Sequence, residues 1–196
     1  MKKLADKVAQ RIDCTSRYCK VPEQLIKYNP DFYDEQGRYM VDEWVSYFDI
    51  GKRFNGQILS VDQYCAVEES FVSAIKDLLA ASGCRYVTIC LIEDYHFTGT
   101  GHKGKLAKEC QELYSQISQY KEGKRISVNE IDAVIKLCLR EQYWCALVNE
   151  KKHMQVDFGY DYYVHILSRL SDVVKHDIAK KHGLFIKQSR QLVVID

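Results

Sequence analysis

Gly99-Thr100-Gly101-His102-Lys103-Gly104-Lys105 is the stretch whose residue types come closest to chemistry. Its glycines and lysine imitate a phosphate-binding loop, in which backbone amides cradle phosphates and the lysine reaches the outer ones. Three features speak against that use. Leu106 stands where a Ser or Thr would hold Mg²⁺, and the preceding apolar run ends near Ile92, too early for a loop that should leave its strand directly. The later apolar run that closes on an acid, Val193-Val194-Ile195-Asp196, is the chain terminus. The expectation is a basic, non-catalytic loop. A nucleotide- or phosphate-binding enzyme using Gly99–Lys105 is the alternative reading.

The metal and nucleophile patterns are weaker. Cys14 and Cys19 have four residues between them, no Cys-x-x-Cys occurs, and His96 and His102 lack a second pair at zinc spacing. No Gly-x-Ser-x-Gly elbow is present. Eight cysteines and six histidines make a chance Cys–His pairing cheap. Glu93 and Asp94 follow an apolar run and read as a solvated loop start. No metal, no cofactor and no catalytic residue is assigned, so the expectation is a binding protein rather than an enzyme.

The residues better suited to recognition are acidic and aromatic. Between positions 29 and 50 lie Asp31, Asp34, Glu35, Asp42, Glu43 and Asp49 against Arg38 alone, interleaved with Phe32, Tyr33, Tyr39, Trp44, Tyr47 and Phe48. A solvated acidic face is the plain interpretation. The sharper one is a docking surface, in which Asp31, Asp34, Glu35, Asp42, Glu43, Trp44 and Asp49 meet a basic partner. Tyr160 and Asp161 are added from a second tyrosine-rich cluster near Asp157. Fourteen tyrosines supply rigid area with a polar tip, which suits interfaces.

The elements that would position these residues follow from periodicity. Leu4, Val8 and Ile12 suggest a helix over 2–12, and Pro22 suggests the first position of another over 22–28. Residues 30–58 read as loop with at most short strands. Ser60 and Gln63 form a capping box before a helix over 61–81, whose inward stripe is apolar except for Glu68. Tyr86–Ile92 is the clearest strand. A helix follows over 106–117, and residues 128–148, apolar on most sides, predict a buried central helix. Two strands within 154–167 surround a turn at Gly159-Tyr160-Asp161, a helix near 170–178 stops at Gly183, and 184–186 and 192–195 look like strands. This order predicts one α+β domain over 1–196, with 1–28 as a possible peripheral helical segment and a small, mostly antiparallel sheet packed against several helices.

The 196 residues carry a net charge of +1, which gives no overall pull toward nucleic acid or membrane. No apolar run reaches the length of a membrane span. The absence of a signal-like N-terminus implies a cytoplasmic chain with reduced thiols, and Cys65, Cys110, Cys138 and Cys145 read as small hydrophobes on helical segments.

Three stretches carry a resemblance: Asp42–Lys52, Leu139–Cys145 and Phe158–Tyr163, with Gly183–Ile186 behind them. Their order and wording resemble bacterial immunity proteins of polymorphic and contact-dependent growth-inhibition toxin systems. The matching pieces run from about Asn29 to Ile186, and none is a catalytic signature. The resemblance implies a protein that neutralises a cognate toxin's C-terminal domain by blocking its active site or substrate cleft. An RNase is the implied toxin class, an EndoU-like fold the guess within it. It also implies no enzymatic activity, no direct nucleic-acid contact and no membrane. An RNase needs a basic cleft for its polyanionic substrate, which an acidic, aromatic surface could cover.

Overall fold

The computed structural model describes residues 23–93 and 106–188. The expected helix over 2–12, Cys14 and Cys19, the Gly99–Lys105 loop with Asp94, His96 and His102, and the strand over 192–195 lie outside the described residues.

In chain order the elements are β1 (Glu23–Ile26), β2 (Arg53–Phe54), β3 (Gln57–Ile58), α1 (Val61–Ala81), β4 (Tyr86–Glu93), α2 (Ala107–Ile117), β5 (Arg125–Ser127), α3 (Asp132–Leu139), β6 (Trp144–Asn149), β7 (Met154–Phe158), β8 (Val164–Leu167), α4 (Asp172–Lys181) and β9 (Phe185–Gln188). Seven strands form one sheet in the order β5-β4-β6-β7-β8-β1-β9. Every neighbouring pair is antiparallel. The α+β class is as expected, with a broader sheet than the small one anticipated. Among the described residues, no helix is long and apolar enough to cross a membrane.

Two expected helices are corrected. Residues 22–28 do not make a helix: Glu23–Ile26 is β1, paired on one side with β8 and on the other with β9. Four residues have little helical preference of their own, and two ladders outweigh it. The run 128–148 is not one buried helix either. A short 3₁₀ turn at Val128–Glu130 leads into α3, which ends at Leu139, and Trp144–Asn149 enters the sheet between β4 and β7. A segment apolar on all sides fits a buried strand as well as a buried helix, so periodicity could not separate them. Cys145 therefore sits on a strand, not a helix.

α1 starts at the expected capping box. The Ser60 hydroxyl accepts from Gln63 N at 3.1 Å, and Gln63 Oε1 accepts from Ser60 N at 3.0 Å. Its buried stripe, including Tyr64, Phe71, Ile75, Leu78 and Leu79, shares one core with Val87 and Ile89 of β4, Leu147 of β6, Val156 and Phe158 of β7, and Val164 and Ile166 of β8. Each large side chain buried there stabilises by about 1.5–3 kcal/mol. The other face of the sheet carries a small separate cluster of Cys90, Leu91, Ala146 and Val148. Asp157 and His165 sit opposite one another on β7 and β8.

The polar exception in the α1 stripe has a buried partner. Arg140 Nε and Nη2 each donate to a Glu68 carboxylate oxygen at 2.6 Å, and Tyr64 Oη donates to Glu68 Oε1 at 3.2 Å. Both charged side chains are essentially solvent-free. Burial pulls the Arg140 guanidinium down, but Glu68 more than offsets this and holds it charged above its ordinary range. A second buried pair, Lys175 with Glu23, fastens α4 to β1.

Candidate functional site

The antiparallel register of β6 and β7 fixes two ends of the molecule. Asn149 pairs with Met154 near one end and Ala146 with Asp157 toward the other. The Glu150–His153 connection therefore lies at one end of the sheet. The β7–β8 turn lies at the other, beside the start of β6 and the close of α3.

At that second end the backbone is unusual. Tyr163 N donates to Tyr160 O at 3.1 Å, and the two central residues between them, Asp161 and Tyr162, have φ of 55° and 60°. This is the geometry of a type I′ hairpin turn, which favours Asn and Gly in both central places. The expected turn, Gly159-Tyr160-Asp161, is thus centred one residue further on. Tyr162 is held left-handed because its ring is buried against Trp44, Tyr64 and Phe71, with centroids 5.1–6.1 Å apart. Gly159 is needed for a different reason: a Cβ there would lie 2.6 Å from the Tyr163 carbonyl oxygen. Tyr28 Oη donates to Asp161 O at 2.7 Å and pins the turn to β1.

Glu141 is the third left-handed residue at this end, with φ of 56°. Glu141 N donates to Cys138 O at 3.0 Å, and Gln142 N donates to Leu137 O at 2.9 Å. Together these make a Schellman close to α3, with a glutamate in the place that glycine usually fills. The Asp161 amide donates to its carboxylate. Burial pushes the Glu141 carboxyl above its ordinary range, and the charges of Asp161 and Asp49 push it further. Asp161 is raised by burial and then by Asp49. Three carboxylates from three separate chain segments thus lie within electrostatic range of one another, Asp49 and Asp161 both acting on Glu141.

The nine residues selected from sequence divide sharply. Asp31 and Glu35 are exposed on the loop after β1. Asp34 is consumed locally: its carboxylate accepts from Arg38 N at 2.8 Å and Arg38 Nε at 2.7 Å, which lowers its pKa. Asp42 accepts from Asn55 N at 3.2 Å and holds the β2–β3 hairpin. Glu43 pairs with Lys27 and accepts from Tyr39 Oη at 3.0 Å. Trp44 is 9% exposed, packed on Tyr64, and carries the Lys27 ammonium 4.1 Å from its ring. It belongs to the core. Asp49 is buried too. Its carboxylate accepts from Val45 N at 2.9 Å, Ser46 N at 3.1 Å and Lys52 Nζ at 2.8 Å. Burial alone would raise its pKa, but these donors lower it. Tyr160 and Asp161 are exposed at the turn, and Tyr160 lies on Trp144 with centroids 5.1 Å apart.

The structure therefore brings Asp49, Tyr160 and Asp161 into one patch and leaves Asp31 and Glu35 along the preceding loop. Two members, Glu141 and Trp144, were not selected from sequence. Both stand in the Leu139–Cys145 stretch, and the apparent helix there concealed that they face the turn. Exposed Phe48 precedes Asp49 in the chain, and exposed Val45 donates its amide to the Asp49 carboxylate. Phe48 is 54% exposed, against the 9% of Trp44, so the anchors available to a partner are Phe48, Val45 and Tyr160. Such an arrangement can meet a basic surface. Among the described residues it brings no His, Cys, Asp and Glu together in a group able to hold a metal ion.

No protein-family model, no curated protein and no solved structure matches this chain.

Proposed function

We propose that this chain is an immunity protein that binds a cognate toxin domain of the RNase class and covers its basic substrate cleft. The observation that supports the reading is the convergence of Asp49, Glu141 and Asp161 beside exposed Phe48, Val45 and Tyr160. Charge repulsion among these carboxylates is relieved when an arginine or lysine arrives. Their positions are already set by backbone hydrogen bonds, so little ordering entropy is lost on binding. The apolar side chains supply area that excludes water around the new ion pairs.

The resemblance carried by Asp42–Lys52, Leu139–Cys145 and Phe158–Tyr163 supports the same reading, because all three stretches contribute to this end of the sheet. Asp31 and Glu35 extend the acidic field and act on the rate of encounter. The test uses an RNase toxin domain taken from a gene neighbouring that of this chain, the place where the proposal expects the cognate toxin. Its RNase activity is titrated with wild type and with Glu141→Gln/Asp161→Asn, alongside melting temperatures. The expected result is an unchanged melting temperature with salt-sensitive binding weakened at least tenfold. Full inhibition by the variant at wild-type concentrations would remove this patch from the mechanism.

A further inference from the structure

The opposite end of the sheet holds a pocket of about 790 Å³, large enough for a ligand of nucleotide size. Arg85, Arg125, Lys151 and Lys152 line it together with Tyr86 and Asn149, and no carboxylate is among its lining residues. None of the four cations is ion-paired to a described carboxylate. The cations that the protein buries, Lys27, Lys175 and Arg140, are each paired with a carboxylate, whereas these four stand exposed around one concavity. The concentration of unmatched charge in a concave place is the observation to be explained.

Local structure accounts for part of it. The Lys152 ammonium stands 3.2 Å from where a Cβ on Gly83 would be, at the end of α1, and a cation there complements the helix dipole. That leaves Arg85 and Lys151 with no ion pair to a described carboxylate, and Arg125 against the Tyr86 ring alone. Asn149 organises the wall: its Nδ2 donates to Tyr86 O at 2.7 Å, and its Oδ1 accepts from Lys152 N at 3.1 Å. The Arg125 guanidinium lies 4.3 Å from the centroid of the Tyr86 ring, which is 44% exposed. Two arginine forks and two ammonium groups form a donor set for phosphoryl oxygens, the arginines bidentate and the lysines as point charges. A single phosphate cannot satisfy four cations spread around a pocket of this size.

We infer that this pocket binds an oligophosphate, either a nucleoside polyphosphate with its base against Tyr86 or an inorganic polyphosphate. Binding needs no bond to be made or broken. The site lies at the end of the sheet away from the acidic patch.

The experiment is calorimetric titration of the full chain at low salt with ATP, tripolyphosphate and adenosine. ATP and tripolyphosphate should bind and adenosine should not. Arg85→Ala/Lys151→Ala should weaken both by about tenfold or more without changing the melting temperature, and Arg85→Lys should keep most of the affinity. ATP binding more tightly than tripolyphosphate, with the advantage lost in Tyr86→Ala, identifies the nucleoside source; equal affinities identify the inorganic one. No binding at about 1 mM of either compound overturns the inference. So does affinity unchanged in both Arg85 variants, or binding seen only with oligoribonucleotides and growing with their length, which would indicate an extended nucleic-acid surface.

Discussion

The two ends of the sheet carry opposite charge and are built by opposite means. At the acidic end every carboxylate is positioned by the backbone: Asp49 by two amides, Glu141 by the Asp161 amide, and Asp161 by the turn itself. Asp161, Tyr162 and Glu141 are left-handed there, and the buried Trp44 and Tyr64 rings hold Tyr162 in place. At the basic end, long cationic side chains project from a short connection and from strand ends, with Asn149 holding the backbone beneath them. The difference teaches where specificity resides. A strained, aromatic-braced surface presents one shape and suits one protein partner, since strain persists only where the surroundings over-determine it. Exposed arginines and lysines on long stems suit a small polyanion whose shape varies.

The largest effect should come from what braces the acidic end. Arg140→Met strands Glu68 in the core and should cost about 3–5 kcal/mol in urea unfolding. Adding Glu68→Leu should return most of that loss; a double variant as unstable as the single one would show that the pair matters through packing alone. Next is Glu141→Gly. Glycine suits the left-handed close of α3, so stability should hold or rise, while toxin affinity should fall by about 2–4 kcal/mol in a binding titration. A variant that loses stability instead would make Glu141 part of the scaffold.

Gly159→Ala should cost roughly 1–3 kcal/mol, because its methyl meets a backbone carbonyl and the turn carrying Asp161 must shift. Thermal unfolding checks this. Asp157 lies on the strand that joins the two ends, and burial pushes its carboxyl up to about 6 despite the Gln155 amide that donates to it at 2.8 Å. A carboxyl raised in the folded state favours the protonated fold. Its contribution to stability is therefore full below about pH 4, declines as pH rises through about 6, and is gone above. Asp157→Asn should flatten that decline and gain roughly 1–2 kcal/mol at pH 7 after allowance for solvent screening. A pH profile identical to wild type would assign the decline to other groups. The smallest effect belongs to the basic end, where Arg85→Ala/Lys151→Ala should change stability by at most about 0.5 kcal/mol. A larger loss would mean that these cations hold the fold.

Much of this architecture was legible in the residues. The capping box at Ser60, the apolar stripe of α1, the alternation from Tyr86 and the strand pair around Gly159 all describe local physics, and each became the expected element. Glu68 was visible as an acid on an apolar face. Its partner was not, because nothing local at Arg140 announces a position 72 residues away along the chain. The acidic run after Asn29 was visible too, but composition could not tell which carboxylates face solvent. Asp34 and Asp49 turned inward to cap backbone amides, Asp42 tied down a hairpin, and Glu43 took up Lys27.

What the sequence by itself determined is the set of strong local periodicities and caps, since those depend on neighbours within one helical turn or one pleat. Only the tertiary structure decided the short or ambiguous segments. Glu23–Ile26 became a strand because two ladders flank it, and Trp144–Asn149 left the apparent helix because the centre of the sheet buries it on both faces. It also decided the two charged ends. Asp49, Glu141 and Asp161, like Arg85, Arg125 and Lys152, meet only when antiparallel strands return the chain to the same edge, and that return is a long-range event no local pattern encodes.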